Sequence, residues 1–420
     1  MWGRRFRLPT LIFGERYDTE MRYLHITLLS ALLCPLLPAA DNTFVHAQGK
    51  YLVAPNGDKV LLRGINLGNW LVPEGYMFQF AKGPASFREI SALFNELIGP
   101  PDAARFWKQY RDAYISEADI RFIREAGFNC VRIPFHYKLA DDGELFPLLD
   151  RAIAWCRQAH LWVILDMHCA PGGQTGTNID DSWGYPWLFE SEDEQQLAVG
   201  SWRSIAKRYA DDPTVLGYDL LNEPLPPTVA QYNPRLEPLY RRITAAIREV
   251  DPNHAVILGG AQWDSNFQVF GPPFDRNALY TFHKYWTAPT QDVIQPYLDF
   301  RERYQVPIWM GESGENQDAW IEQFRAMLEK NEVGWTFWPY KKMDATSSPV
   351  SFERPMHWDE IVSYAALPGG MGAAEDKMKK RPSIQDSRAA LADLLAKVKL
   401  ENCRVNEGYL KALGMRAPVR

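Results

Sequence analysis

The fold class that the sequence predicts is a (β/α)8 TIM barrel with a long loop insertion after the first strand. Three observations predict it. Apolar runs with strand character recur eight times down the chain, as buried parallel strands do. Helical patterns fall between most of these runs, and such repeated alternation closes into a barrel rather than an open sheet. No Ser/Thr/Pro-rich linker divides the chain, so a single domain without an appended module is expected.

The strands are expected at residues 59–66, 129–134, 162–168, 215–223, 255–260, 279–283, 307–312 and 334–340. The first intervening helix shows its signals plainly. Ser116 caps it, Glu117 and Asp119 sit in its first turn, and Gly127 stops it. Similar patterns cover 148–159, 192–210, 236–250, 292–304 and 319–330, and 383–398 supplies a final helix. The link 260–279 has no clear helical pattern, so one helix of the ideal eight is expected to be short or missing. The stretch 67–115 is far longer than an ordinary connection, and long loops after barrel strands build substrate sites.

The N-terminus reads as an export leader. Translation is expected to start at Met21, which leaves residues 1–20 as an extension upstream of the true start. Residues 21–47 then form a signal peptide, with Arg22 as its positive start and an apolar stretch at 26–40. Cleavage is expected after Ala47, with Ala40 as the second choice. The stretch is too short for a membrane span. The protein is therefore expected to be secreted or periplasmic, with a catalytic domain at 48–400 and a tail at 401–420. Cys130 and Cys156, set within apolar elements, are expected as buried thiols.

Composition narrows the partners. A formal charge of −6 argues against a nucleic-acid binder with a basic face. Fifteen Trp, 19 Tyr and 21 Phe suit a groove that grips sugar C–H surfaces. The bland alternative is a core rich in large side chains. A monomer is expected.

In such a barrel the active site lies at the carboxyl ends of the strands. The apolar run 215–221 stops abruptly at Asn222-Glu223-Pro224, where Pro224 has no N–H for a ladder. A carboxylate held there is costly without work or a partner; the dull reading is a Glu that caps the next helix. The other strand ends offer Asn66 with Trp70 and Glu74, Arg132 with His136, Asp166 with His168, His283 with Tyr285, Glu312, and Trp338. Each has a dull explanation alone; their joint position does not. Two glutamates across a barrel mouth, about 5–5.5 Å apart, suit glycosidic cleavage with retained configuration. Glu312 is expected as the ionised nucleophile, stabilised by Arg132 and the Tyr285 hydroxyl. Glu223 keeps its proton as the acid/base, because a like charge stands beside it. Glu315 competes with Glu312, but Glu312 directly ends the apolar run.

With these residues assembled, the chain resembles glycoside hydrolase family 5, the cellulase family of retaining barrel glycosidases, over about residues 50–400. The family's Asn-Glu-Pro is similar to Asn222-Glu223-Pro224, its His-x-Tyr to His283 and Tyr285, and its Gly-Glu to Gly311-Glu312. The resemblance implies that Asn222 meets the sugar 2-hydroxyl and that Trp338 lies under the sugar before the cleaved bond. Arg63 to Glu74 and Asp166 to Gly176 are similar to stretches of the exo-β-1,3-glucanase branch, which implies that Glu74 and His168 hold hydroxyls of a terminal glucose. The departures are Asn69 and Cys169 where that branch has Gly, and Asp181 where it has Asn. Trp183, Tyr185 and Trp187 are candidates for the acceptor side.

The implied function is hydrolysis of β-glucosidic bonds in β-glucans or their oligosaccharides. The alternatives are a family relative acting on another β-linked glycan, such as mannan, cellulose or a decorated oligosaccharide, and a barrel that binds carbohydrate without catalysis. A metal-dependent hydrolase needs clustered His and Asp, whereas His136, His168 and His283 fall on different strands. No cofactor and no metal are expected.

Overall fold

The computed structural model describes residues 43–418 apart from Asn178 and Gly370. Residues 1–42, the expected extension and most of the expected leader, lie outside the described residues. At the centre is a closed barrel of eight strands. In chain order they are β1 (Arg63–Asn66), β2 (Cys130–His136), β3 (Trp162–Cys169), β4 (Val215–Asp219), β5 (Ala255–Gly259), β6 (Ala278–His283), β7 (Ile308–Glu312) and β8 (Gly334–Phe337). Every neighbouring pair is parallel, and β8 returns onto β1. All eight carboxyl ends therefore open on one face.

The departures from expectation have local causes. β2 continues past Pro134 to His136, and its register with β3 slips just after Phe135. A residue without an N–H is tolerated beside such an irregularity. β4 ends its regular pairing at Asp219 rather than at residue 223. The Leu220 and Asn222 amides still donate to the carbonyls of Ile257 and Met167, so the chain stays extended between its neighbours. Glu223 then turns into the left-handed region, with φ 47°. Between β5 and β6 there are only a four-residue helical turn at Ala261–Asp264 and a 3-10 turn at Phe267–Val269, as the sequence leads one to expect.

The insertion 67–115 is not only loop: it carries helices Phe87–Ile98 and Pro100–Tyr114. Ser86 and Glu89 form a reciprocal capping box on the first, and Pro100 opens the second. The second helix pins the turn that follows β1. Its Tyr110 hydroxyl donates to the Asn69 carbonyl at 2.9 Å, and the Trp70 indole donates to the Arg111 carbonyl at 2.8 Å. Asn69 sits at φ 65°, a conformation that asparagine tolerates far better than most side chains, so Asn can stand in that turn where the exo-glucanase branch has Gly.

Residues 401–418 of the expected 401–420 tail instead extend the domain. Arg404–Val405 pairs antiparallel with Val350–Phe352, and helix Glu407–Ala412 buries Tyr409 and Leu410. At the other end, His46–Gln48 pairs with Tyr51–Val53, and the Ala47 amide donates to Asn277 Oδ1 at 2.8 Å. Among the described residues no helix is long and apolar enough to cross a membrane. Cys130, Cys156, Cys169 and Cys403 are buried and unbridged.

Candidate active site

A cleft of about 640 Å³ opens at the carboxyl ends of the strands. Glu74, His168, Asn222, Glu223, His283, Tyr285, Glu312 and Trp338 all line it. Eight of the residues singled out from sequence are thus brought to one cavity.

Beneath its floor lies Arg132, fully buried. Its Nε donates to Asp219 Oδ2 at 2.9 Å. Its Nη1 donates to Asn66 Oδ1 at 3.1 Å and to Glu312 Oε1 at 2.5 Å. Its Nη2 donates to Asn222 Oδ1 at 2.9 Å and lies 3.1 Å from Asp166 Oδ1. One planar fork thereby ties residues at or just beyond the ends of β1, β3, β4 and β7, which a point charge could not do. Burial works to lower the pKa of this guanidinium, but Asp166, Asp219 and Glu312 outweigh it and hold the charge in place.

Glu312 receives a second donor, the Tyr285 hydroxyl, at 3.0 Å on Oε2. Glu223 has a different environment. Burial raises its pKa, partly offset by the Arg132 charge. Its Oε1 lies 3.0 Å from His283 Nδ1, and carboxylate oxygens of Glu223 and Glu312 come within 4.8 Å of each other. Burial pushes His283 down to about 3 and His168 to about 4, so both imidazoles are neutral near pH 7. His168 is oriented by Asp166, 2.8 Å from its Nδ1, and stacks on Trp338 with ring centroids 5.5 Å apart. The Trp338 ring leaves room only for glycine opposite: a Cβ on Gly68 would fall 2.5 Å from it. Glu74 is buried with no hydrogen-bond partner on Oε1, and burial, then Glu312 and Glu315, raises its pKa well above the usual range.

Two strand-end residues grouped from sequence with those that meet substrate are corrected here, while the expected contact of Arg132 with Glu312 is present. Trp70 does not reach substrate, because its indole is fully buried and spent on the Arg111 carbonyl. Arg132 is likewise sealed from the cleft and acts on it only through the side chains it holds. Trp183 and Trp187 face solvent outside the cleft lining, Trp183 with the Arg88 guanidinium 3.6 Å over its ring. Asp181 has a local task, accepting from the Arg88 amide at 3.1 Å and facing His136 at 3.2 Å.

Sequence reasoning missed Tyr76, Trp263 and Trp286, which line the cleft, and Lys342, which pairs with cleft-lining Glu315. Tyr76 carried a usable signal, two residues beyond Glu74; Trp286 did too, directly after Tyr285. Trp263 had none, since it depends on an unusual turn.

Separate strands do not keep His168 and His283 from joining clusters of possible ligands, each with two carboxylates and no second histidine, whereas His136 joins neither. Asp166, His168 and Glu312 converge within 4.8 Å, as do Glu223, His283 and Glu312. Among the described residues a third such group, His357, Glu360 and Asp386, lies away from the cleft lining. The Arg132 charge lies against Asp166 and Glu312, however, and a divalent cation there would meet it at close range. The arrangement is a hydrogen-bond network around one guanidinium.

Comparison with known proteins agrees with this geometry. The sequence profile described as Cellulase (glycosyl hydrolase family 5) matches residues 94–344. Beta-xylosidase of Phanerodontia chrysosporium is 29% identical over 375 residues, covering 77% of this chain and 75% of that protein. Probable glucan 1,3-beta-glucosidase A of Emericella nidulans is 34% identical over 206 residues, covering 47% of this chain and 50% of that protein. The crystal structure of an endogalactoceramidase superposes with a TM-score of 0.59 at 17% identity, covering 89% of this chain and 86% of that one, a likeness of fold alone.

Proposed function

The chain belongs to glycosyl hydrolase family 5 and is a glycoside hydrolase, and from that premise we propose that it cleaves β-glucosidic bonds in β-glucans or their oligosaccharides with retained configuration. The observation that carries the reading is the unequal pair of carboxyls facing one cavity. Glu312 lies under two donors, Arg132 and Tyr285, which favour its anion. Glu223 is buried beside a neutral imidazole, which favours its acid.

In the first step a Glu312 oxygen attacks the anomeric carbon as the glycosidic C–O bond breaks, and the Glu223 proton goes to the leaving oxygen. In the second, water attacks the same carbon, its proton passes to Glu223, and the Glu312–carbon bond breaks. Trp338 offers an apolar face to the sugar, Asn222 a partner for its 2-hydroxyl, and Glu74 and His168 partners for hydroxyls farther round the ring. The relatives' names divide between xylosides and glucans, so a β-xylosidic substrate is the second reading.

Glu312→Gln, with folding checked by circular dichroism, should abolish turnover; near-normal hydrolysis refutes the assignment. Product NMR on a panel of β-linked gluco-, xylo- and manno-oligosaccharides reads linkage and first-formed anomer together. A β-anomer at first turnover is expected, and an α-anomer refutes double displacement. We also propose export, with the leader cut after Ala40. A cut after Ala47 would divide the His46–Gln48 strand. Mass analysis of the mature N-terminus decides between the two.

A further inference from the structure

One buried acid close to the cleft has no part in the chemistry so far. Asp264 is fully buried and follows β5. It ends a run of three residues, Gln262, Trp263 and Asp264, at φ 53°, 60° and 56°. Three successive left-handed non-glycine residues are a strained arrangement, and strain of this kind gathers where side chains must be aimed. Here it turns Trp263 into the cleft and Asp264 beneath it. The approach is close enough to require glycine at the end of β5, since a Cβ on Gly259 would lie 1.9 Å from Asp264 Oδ1.

The Asp264 carboxyl meets the Glu223 region twice. Its Oδ2 accepts from the Glu223 amide at 3.1 Å and lies 3.3 Å from His283 Nε2. The other ring nitrogen, Nδ1, lies 3.0 Å from Glu223 Oε1. An oxygen that accepts an amide presents lone pairs. A bare Nε2 opposite it would set lone pair against lone pair, so Nε2 carries the ring proton. In a neutral imidazole that leaves Nδ1 bare. A bare nitrogen at hydrogen-bond distance from Glu223 needs a proton on the carboxyl. We propose that Asp264 is a positioning residue that fixes the His283 tautomer and through it keeps the acid proton on Glu223.

Other groups face these three residues. Arg132 pulls the Glu223 proton affinity down, while His168, Asp166, Glu74 and Tyr285 share its surroundings. Glu312 faces His283 as well, with Oε2 3.8 Å from Nδ1. Asp219, Tyr240 and Tyr297 face Asp264. None of them bonds His283 Nε2, and Asp264 Oδ2 at 3.3 Å is the acceptor that faces it without the angles of a formed hydrogen bond. Burial holds Asp264 well above the usual carboxyl range, and in either protonation state it has an oxygen to turn towards the ring.

The inference rests on Glu223 being the acid, and the test keeps the two apart. In the wild-type enzyme, 15N NMR of labelled histidine should show His283 protonated at Nε2; a proton on Nδ1 overturns the proposal whether or not any variant folds. Asp264→Gly removes the acceptor, and glycine accepts the left-handed conformation. With it the ring is free to turn its proton to Nδ1 and donate to the Glu223 anion. The alkaline limb of kcat/KM on an alkyl glucoside should then move down by about one pH unit. On a dinitrophenyl glucoside, which leaves without a proton, kcat/KM should stay within about twofold. An unmoved limb, or equal losses on both substrates, overturns the role of Asp264. If Glu223→Gln still cleaves the alkyl glucoside at the wild-type rate, it is the acid assignment itself that fails.

Discussion

Arg132→Met removes the charge at the hub while keeping an unbranched side chain. Asp166, Asp219 and Glu312 lose their shared guanidinium, and Asn66 and Asn222 lose a donor. Breaking a buried ion pair from one side costs about 3–5 kcal/mol. Three carboxyls lose their partner at once, which argues for the upper end. They can take up protons instead, which argues for the lower, and burial already drives Asp166 and Asp219 upward. We take about 4 kcal/mol. An unfolding entropy of about 2.1 cal/mol/K per residue gives about 0.8 kcal/mol/K for this domain, hence a Tm lower by about 5 °C near neutral pH. The sign with pH follows from linkage. A buried carboxyl whose folded pKa is raised binds more protons folded than unfolded, so stability falls as pH rises through that window. Loss of Arg132 raises Asp166 and Asp219 further, so the Tm deficit should widen from about pH 5 to about pH 8. Losing a positioned charge beside the reacting carboxylate should also lower kcat/KM by at least about 100-fold. Scanning calorimetry at several pH values and steady-state kinetics are the assays. A Tm within about 1 °C of wild type, or a deficit that shrinks as pH rises, refutes the reasoning.

The remaining predictions are smaller. Trp70→Phe should cost about 1–3 kcal/mol of stability through the orphaned Arg111 carbonyl and leave KM unchanged, whereas Trp338→Ala should lower kcat/KM by about 30–100-fold from lost apolar contact. Paired melting curves and kinetics check both, and a KM defect in the Trp70 variant would restore that residue to the substrate. Because burial holds His168 at about 4, its contribution to stability is full above its unfolded value, about 6.5, and is lost as pH falls towards about 4. The Tm advantage of wild type over His168→Asn should therefore be larger at about pH 7 than at about pH 4.5, and the opposite slope refutes the neutral imidazole.

The strands were legible because parallel barrel strands are buried on both faces and read as apolar runs with polar ends. That is why Glu223, Glu312, His283 and Trp338 could be placed on one rim from sequence. The helices at Phe87–Ile98 and Pro100–Tyr114 left signals too, a capping box at Ser86 and Glu89 and a proline start at Pro100, which were outweighed by the length of the insertion. Side-chain direction was not legible. Trp70 and Trp338 both follow the ends of barrel strands on the chain, and only packing against Arg111 or His168 separates a core indole from a cleft indole. Asp264 was out of reach altogether. Its position depends on three left-handed residues, and Gln-Trp-Asp has neither the glycine nor the asparagine that usually announces such a turn.

The guanidinium fork beneath the floor has a bearing on redesign. It fastens the reacting groups from below, whereas Tyr76, Trp263 and Trp286 stand on connecting segments along the rim and touch no part of that anchor. New acceptor preferences can be sought by exchanging Trp286, with the spacing of the two glutamates left as a fixed gauge, whereas Tyr76 accepts from the Trp338 indole at 2.7 Å and Trp263 belongs to the run that aims Asp264. A library that strays into Asn66, Asp166 or Asp219 would instead loosen the gauge itself, and its members should lose rate on every sugar alike.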